Sequence, residues 1–562
     1  MSETTTESVS LPSPTEDPSV LGLFNTTDHK RIGRMFIFAT VLIAAGAVVL
    51  ESLLRIDLSD PDAYVLFDSK TYTQSFLLAR DALVFLFIIP FFVGIALYVV
   101  PLQVGAAGLV FTRAALASFW TWLISSVILV GAYVGNGGSF GGNSDSVDLY
   151  ILSLGFVIAS LLVGVVTVVV TALTVRAPGL SIASMPAFTW SIVVWGVGLL
   201  LTLPVLLANL VFLYVDHRYG RLFLGGNFGI WDHIEWAYRA PQLFLYIVPA
   251  LGLVAEILVG SSRRVAVVPS AITAGLGALA LFGMGAWAQL NIAEGVDVTN
   301  GWPGVVYAAT FVAALVAILA VVAVSFATLG AGERFSPLST PVLAAVAISL
   351  VALLGAAQGA VGAFLDWAES LGWFSVDPVR PLRNTTWTSA QFQLFVIGVG
   401  LLSVIGALSW WAPKIWGRSL NAVIGRTCVG LVFIGSLLAA LGTSLAGLLT
   451  GQPELARFGG LIDPLRGGIY GFIQDASGGL NVLSLIGMLL VGLAAVLVVL
   501  DLGVSILARK GAECDNDPWD ASSPEWLLAS PPPLGPLTDL PDLDSGAPGL
   551  DVATQELEEA LP

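Results

Sequence analysis

The sequence has few of the residues on which soluble enzymes and metal centres depend. Only 11% of its 562 residues are charged, whereas soluble proteins have about 25%, so an ordinary water-soluble enzyme is excluded. Its two cysteines, Cys428 and Cys514, exclude a disulfide scaffold and a four-cysteine metal site. Its three histidines, His29, His217 and His233, have no spacing that is typical of metal ligands.

Basic charge is also scarce. The formal net charge is −16 and the sequence pI is near 4.5, which argues against nucleic acid as a partner. Lysine is the rarer basic residue, because it occurs only at positions 30, 70, 414 and 510. An acidic, lysine-poor chain suits a salt-rich environment, where self-repulsion is screened, so a halophilic host is a hypothesis from composition.

Apolar residues, by contrast, are abundant. They make up 56% of the chain, and the mean hydropathy is +0.88. A membrane-spanning helix needs about 20 mainly apolar residues, and a backbone immersed in lipid must satisfy its own hydrogen bonds. We therefore expect an all-α integral membrane protein with twelve spans, at residues 34–56, 76–103, 114–135, 148–173, 188–214, 241–260, 266–290, 303–328, 339–364, 390–413, 424–449 and 479–508.

Composition divides the chain into three parts. Residues 1–24 are polar and are expected to be disordered, residues 25–510 form the transmembrane domain, and residues 511–562 form an acidic, proline-rich tail. With an even number of spans, thirteen basic residues fall on the side of the N-terminus and ten on the other side. Because basic residues are enriched on the cytoplasmic side, both termini are predicted to be cytoplasmic.

Several uncommon motifs occur in a fixed order along the chain. Residues 27–33 read TDHKRIG, residues 101–106 read PLQVGA, residues 188–191 read FTWS and residues 232–236 read DHIEW. Together they resemble subunit I of the haem-copper oxidases, the catalytic subunit of cytochrome c and quinol oxidases. The resemblance runs from about residue 25 to about residue 535. It implies a twelve-helix bundle in the plasma membrane.

The resemblance also implies two haems and one copper, held by six histidines. On the second span a haem-ligand position falls at Arg80 or the neighbouring Ala79, and on the tenth span two fall at Gln391 and Gln393. The copper-ligand positions fall at Ala240, Gln289 and Leu290. None of these residues is a histidine, and imidazole is the ligand that suits both metals. The sequence therefore predicts a chain that binds no metal and needs no cofactor.

The positions that the resemblance assigns to proton uptake have lost their ionisable groups. They are Gly108 after the second span, Gln242 on the sixth span and Phe244, which stands at the position of the family's tyrosine. Proton relays within a membrane need ionisable side chains. We expect four glutamines, at positions 242, 289, 391 and 393, to form an amide cluster between helices instead.

Other charged side chains within the spans have simpler interpretations. Arg80 and Asp81 are expected to form an ion pair at the outer membrane surface, and an anion-binding or gating site is the functional alternative. Glu51 and Glu256 lie near predicted helix ends, from which their side chains are expected to reach the interface.

Three functions remain open. The first is a degenerate, cofactor-free paralogue of subunit I that acts as a structural or regulatory partner of a respiratory electron-transport complex. The second is a cytochrome c or quinol oxidase component that takes part in O2 reduction coupled to proton pumping, as the resemblance alone implies. The third is a transporter or channel. Expected partners are the lipid bilayer and other subunits of an oxidase-like complex.

Overall fold

The structure is a computed structural model, and it describes nine stretches of the chain. These are residues 20–59, 65–221, 224, 229–289, 301–332, 339–373, 382–452, 467–537 and 547–550. Within them the chain is mainly helical and contains no β-strand, and an isolated β-bridge joins Arg418 and Glu513. The predicted all-α membrane fold is confirmed.

Twelve helices of the bundle fall within the described stretches, and we number them in chain order. They are α1 His29–Ser59, α2 Ser69–Gln103, α3 Thr112–Val134, α4 Ser144–Thr174, α5 Ala187–Arg218, α6 Gln242–Ser262, α7 Pro269–Phe282, α8 Gly301–Ala331, α9 Thr340–Ser370, α10 Thr386–Trp416, α11 Ala422–Thr450 and α12 Gly467–Leu502. Among the described residues, eleven helices are long and apolar enough to cross a membrane.

The exception is α7, which has fourteen residues where the sequence predicts a span over 266–290. It ends before Gly283, which packs so closely on α6 that a Cβ atom there would lie 2.5 Å from the backbone nitrogen of Leu245. The short 3-10 helix Ala286–Gln289 follows. Residues 290–300 lie outside the described chain, so the count of twelve full spans stays a prediction.

Local sequence accounts for several helix ends. The side chain of Asn143 accepts a hydrogen bond from the first turn of α4, Thr385 does so for α10, and Asn421 does so for α11. These caps satisfy backbone N–H groups that have no partner inside a helix. Gly417 and Gly451 end α10 and α11 in the left-handed conformation, which glycine adopts without steric cost.

Three helices form the centre of the bundle. All residues of the most apolar part of α2, and 94% of those in α6 and α10, are buried, against 39–67% in the other described spans. The remaining helices surround these three, with α1 packed on α2 and α12, α5 on α4 and α6, and α9 on α8 and α10. Any site built at the centre must therefore use side chains of α2, α6 and α10.

Both α2 and α10 contain a π-helical segment. These segments are Ala82–Ile88 in α2 and Gln393–Val399 in α10. π-Helical turns are rare, and they occur frequently at functional sites because they redirect side chains within a helix. The first segment begins two residues after Arg80, and the second begins at Gln393. The backbone therefore departs from α-helical geometry close to two positions that the family resemblance assigns to haem ligands.

The two terminal segments are more ordered than their composition predicts. A 3-10 helix, Val20–Phe24, lies in the segment expected to be disordered. The predicted tail packs on the bundle from Gly511 to Leu537, on the face where α1 begins, which we call the proximal face. There Trp519 stacks on Trp410, with ring centroids 5.4 Å apart. Trp526 is buried and Trp519 is partly buried against the bundle, so this part of the acidic, proline-rich tail is held by aromatic contacts.

Glycine allows α11 and α12 to approach closely. A Cβ atom on Gly487 would lie 2.3 Å from the backbone nitrogen of Ala439 and 2.4 Å from the carbonyl oxygen of Gly435. A Cβ atom on Gly430, also on α11, would meet nothing within 4 Å. Close contact between small residues is a general source of stability for packed membrane helices.

We predict that Gly487→Ala lowers the thermal stability of the protein, by about 1–3 kcal/mol, because the added methyl group must push two backbones apart. The same change at Gly430 should leave stability unchanged or raise it slightly, since alanine is the better helix former. Thermal unfolding of the two variants in one detergent measures the difference. Equal midpoints would show that the α11–α12 contact is not tight.

Candidate functional site

The centre of the bundle is built around Arg80 on α2. Its side chain is 2% exposed, and Nη2 donates a hydrogen bond of 2.8 Å to Oγ of Ser389 on α10. The guanidinium also lies 4.8 Å from the ring centre of Phe76 and 4.0 Å from that of Phe392. Arg80 therefore joins the two helices between which the resemblance places a haem, through its hydrogen bond to Ser389 and its cation–π contact with Phe392. The contact with Phe76 lies within α2.

Asp81, the next residue, belongs to a separate cluster of tyrosines. Its carboxylate accepts a 2.6 Å hydrogen bond from the hydroxyl of Tyr133 on α3, and another from Tyr238 in the turn before α6. The rings of Tyr133 and Tyr150 are in edge contact, 5.3 Å apart. The predicted interfacial Arg80–Asp81 ion pair is wrong, because both side chains are buried and phenol hydroxyls stabilise the carboxylate.

The two glutamines of α10 are buried and bond different neighbours. Gln391 donates from Nε2 to the carbonyl oxygen of Gly355 on α9, at 3.3 Å. Gln393 accepts from the hydroxyl of Thr443 on α11, also at 3.3 Å, and its Nε2 has no partner among the described residues. Residues two positions apart point to different sides of a helix. The two amides therefore cannot meet.

On α6, Gln242 is fully buried and satisfied on both sides of its amide. Its Nε2 donates to the hydroxyl of Thr202 at 3.1 Å, and its Oε1 accepts from the backbone nitrogen of Gly285 at 2.8 Å. Phe244 packs its ring against those of Phe311 and Phe395, at 5.4 and 5.3 Å. The amide of Gln242 thus holds the loop at Gly285, and the ring of Phe244 packs in the core of the bundle.

Of the three positions assigned to copper ligands, only Ala240 is fully described. It is buried just before α6. The side chain of Gln289 and all of Leu290 lie outside the described residues. The predicted amide cluster is wrong for its three described members, because Gln242, Gln391 and Gln393 bond hydroxyl or backbone groups and none bonds another of the three.

The remaining expected proton position, Gly108, lies at the proximal face. It lines a cavity of about 400 Å³ together with Asp28 and His29. The histidines lie in different elements: His29 begins α1, His217 bonds Asp148 at the opposite face, and His233 lies in the short helix before α6.

Comparison with known proteins decides which family has this arrangement. A family model described as Cytochrome C and Quinol oxidase polypeptide I matches residues 31–509. The chain belongs to this family. The resemblance inferred from the motifs is therefore confirmed, and the protein is a subunit I-type member of the haem-copper oxidases.

Curated relatives match over most of the chain. One is a probable cytochrome c oxidase subunit 1-alpha from Streptomyces coelicolor, 27% identical, with 96% of this chain and 90% of the relative covered. Another is cytochrome c oxidase subunit 1 from Bacillus sp. strain PS3, 28% identical, with 91% and 80% covered. A heme-copper oxidase subunit I+III from Aeropyrum pernix is 28% identical, and the match includes 90% of this chain and 60% of that protein.

A solved structure has the same fold. It is a heme-copper terminal oxidase dimer determined by cryo-EM, with a TM-score of 0.62 and 13% sequence identity, and 84% of each chain is covered. At this identity the likeness shows the fold alone.

Family membership contradicts the prediction that the chain needs no cofactor. Its relatives are named as cytochrome c oxidase and heme-copper oxidase subunits. Haem and copper are therefore the cofactors that the family implies. The prediction that the chain needs no cofactor is wrong.

The described side chains at the centre nevertheless do not fit the usual ligand set. Haem iron and copper in proteins are bound mainly by imidazole and sulfur ligands, whereas Arg80, Gln242, Gln391 and Gln393 present guanidinium and amide groups. Across the described stretches, no group of three or more His, Cys, Asp or Glu side chains could hold a metal ion. We therefore assign no chemical step to a haem or copper at these residues.

Sequence reasoning missed the most strongly packed features of this site. Glu51 pairs with Arg55 inside α1 at 3.1 Å, and Glu256 is buried as well, so neither reaches the interface as expected. Tyr133 lies in a predicted span and Tyr238 lies just before another, so phenol donors for a buried Asp81 are present in the sequence. Only the tertiary structure brings them to Asp81.

We predict that Arg80 and Ser389 are energetically coupled. Arg80→Met and Ser389→Ala should each destabilise the protein, because a hydrogen bond to a charged group contributes about 1.5–3 kcal/mol. The double variant should lose less than the sum of the single losses. Thermal unfolding of the four proteins of this double-mutant cycle measures the coupling.

A matched control is Ser403→Ala, since Ser403 is buried on the same helix but bonds only the carbonyl oxygen of Val399. Its loss of stability should add to the loss caused by Arg80→Met. If the losses caused by Ser389→Ala and Arg80→Met also add, within about 0.5 kcal/mol, Arg80 and Ser389 are not energetically coupled.

Proposed function

We propose that the protein is a subunit I-type component of an aerobic respiratory oxidase complex in the plasma membrane, and that its own contribution there is structural or regulatory. The observation that supports this role is the Arg80–Ser389 link. Where the family resemblance places a haem between α2 and α10, this chain has a buried arginine held by a serine and two phenylalanines.

The surrounding side chains are consistent with a structural role. Gln242 bonds a hydroxyl and a loop nitrogen, Gln391 bonds the carbonyl oxygen of Gly355, and Phe244 packs between two aromatic rings. Such contacts hold neighbouring helices together. Partner subunits would then be recognised by the outer surface of the bundle, as members of the family work in multi-subunit complexes.

A second candidate is direct participation in O2 reduction. The names of the relatives favour it, since they include cytochrome c oxidase subunits from Streptomyces coelicolor and Bacillus sp. strain PS3. The two π-helical segments in α2 and α10 also favour it, because such segments occur frequently at functional sites.

The two candidates predict different effects of Gln391→Leu and Gln393→Leu. If the role is structural, each change should lower the thermal stability of the assembled complex modestly, since one interhelical hydrogen bond contributes about 0.6–2 kcal/mol. O2 consumption per assembled complex, with reduced cytochrome c or quinol as donor, should stay the same. The complex is purified from native membranes through a tag on this chain.

Loss of O2 consumption at unchanged assembly would contradict the structural role and support direct participation. A visible haem spectrum in proportion to this chain, altered by either substitution, would have the same meaning. Ser403→Ala serves as the control for a buried substitution on α10 that leaves both glutamines intact.

The basic residues support an orientation with the proximal face in the cytoplasm. Cys514 lies half-buried at this face, whereas Cys428 is buried in α11, so Cys514 is the thiol that reagents should reach. In right-side-out vesicles a membrane-impermeant maleimide should label the protein only after permeabilisation. Inside-out vesicles are the control and should label directly. Rapid labelling of sealed right-side-out vesicles would reverse the orientation.

A further inference from the structure

The C-terminal segment, residues 511–537, places a second buried carboxylate beside one from the bundle. Glu525 lies in the 3-10 turn Pro524–Leu527 and is fully buried. Its Oε1 accepts hydrogen bonds from Nε2 of Gln103 at 3.0 Å and from Nε1 of Trp411 at 3.2 Å. Its Oε2 has no hydrogen-bond partner among the described residues.

The carboxylate from the bundle is Glu256, near the proximal end of α6. It is 6% exposed, and its Oε2 accepts a hydrogen bond of 3.3 Å from the backbone nitrogen of Phe188, in the first turn of α5. Glu256 and Glu525 interact electrostatically. Two carboxylates in a low-dielectric surrounding repel each other strongly, so such a pair retains one proton between its members.

A cavity of about 350 Å³ reaches Glu256 from the proximal face. Its wall also includes Ser523 and Arg264. Ser523 is 7% exposed, and its hydroxyl interacts with both carboxyl groups. A buried hydroxyl beside two carboxyl groups is a further polar group suited to a site that exchanges a proton with solvent.

The hydrogen bonds indicate which member is charged. Two N–H donors fix Oε1 of Glu525, and N–H donors stabilise the ionised form of a carboxyl group. Gln103 is held in this orientation because its Oε1 accepts from the hydroxyl of Thr189 at 2.6 Å. Glu256 accepts a longer hydrogen bond, from the backbone nitrogen of Phe188 at 3.3 Å, and it lines the cavity, so we place the proton on Glu256.

We propose that Glu256 and Glu525 form one proton-binding site, open to the proximal face through the cavity, and that the bound proton keeps the C-terminal segment docked on the bundle. The proton is exchanged with solvent water and no bond between heavy atoms changes. Loss of the proton leaves two buried negative charges, one on the bundle and one on the segment, and their repulsion opposes docking.

Neighbouring charges modify this repulsion without removing it. Lys414 on α10 interacts electrostatically with Glu525 and Asp517, and its Nζ donates to the carbonyl oxygen of Leu528 at 2.6 Å. Arg263, just after α6, forms an ion pair with Asp520. The positive charge of Lys414 can balance one carboxylate of the pair, and the second is stabilised by the proton.

The sign of the pH dependence follows from burial. Burial raises the pKa of the Glu525 carboxyl group. Because the two carboxyl groups share one proton, the pair binds that proton more tightly when the segment is docked than when Glu525 is exposed to water. Docking is therefore strongest at low pH, and it weakens as the pH rises from the ordinary glutamate range, near 4.3, through the raised pKa. One linked proton limits the change to about tenfold per pH unit.

Hydrogen–deuterium exchange of the full-length protein tests the proposal. Exchange in peptides covering residues 521–537, corrected for its intrinsic pH dependence, should rise up to about tenfold per pH unit in the wild type. Glu256→Gln keeps the shape of the protonated acid, so its segment should stay protected as the pH rises. Glu525→Gln removes the other charge and should also abolish the pH dependence, which keeps the test valid if one variant fails to fold.

The control is Asp515→Asn, an exposed acid on the same segment, which should behave as the wild type. An infrared carbonyl band of a protonated carboxyl group should be present in the wild type and lost in Glu256→Gln. A wild-type pH response in Glu256→Gln, or no response in the wild type itself, would overturn the proposal. Persistence of the infrared band in Glu256→Gln would overturn the assignment of the proton.

Discussion

A polar group in the centre of this bundle must find its partner within the protein, and the rest of the structure depends on this constraint. Lipid offers no hydrogen bonds, and an unsatisfied group there costs several kcal/mol. The backbone meets the requirement by folding into helices. Among the side chains, Arg80 meets it through Ser389 and two aromatic rings, and Asp81 meets it through two phenol hydroxyls.

The same constraint explains what the sequence could predict. Long apolar runs locate the spans, since only helices can cross lipid, and uncommon motifs at fixed spacing identified the family. Helix ends were less accurate: α1 covers His29–Ser59 where 34–56 was expected, because polar residues such as Lys30 and Asp57 are buried by tertiary contacts. Hydropathy cannot detect an apolar environment that other parts of the chain provide.

The candidate site shows where sequence reasoning ends. Tyr133 and Tyr238 lie 52 and 157 positions from Asp81, and nothing local indicates that they meet. The amide cluster failed for a geometric reason, since Gln391 and Gln393 point to opposite neighbours of α10. The chain has the fold of a solved haem-copper oxidase, whereas the residues at its centre are matched to ligand positions only through the resemblance of motifs. The fold of this chain therefore does not by itself establish the chemistry of its centre.

The C-terminal segment is ordered on the bundle although its composition suggests disorder. Its many prolines and acids are typical of disorder, yet its anchors are few and specific. Lys30 and Lys414 are fully buried, and each donates to a carbonyl oxygen of this segment, at Gly535 and Leu528. Burial of an ammonium group is costly unless acceptors are provided, and the segment that covers these two groups also provides acceptors for them. The segment is therefore held on the bundle by a few specific hydrogen bonds to buried charges, which composition cannot indicate.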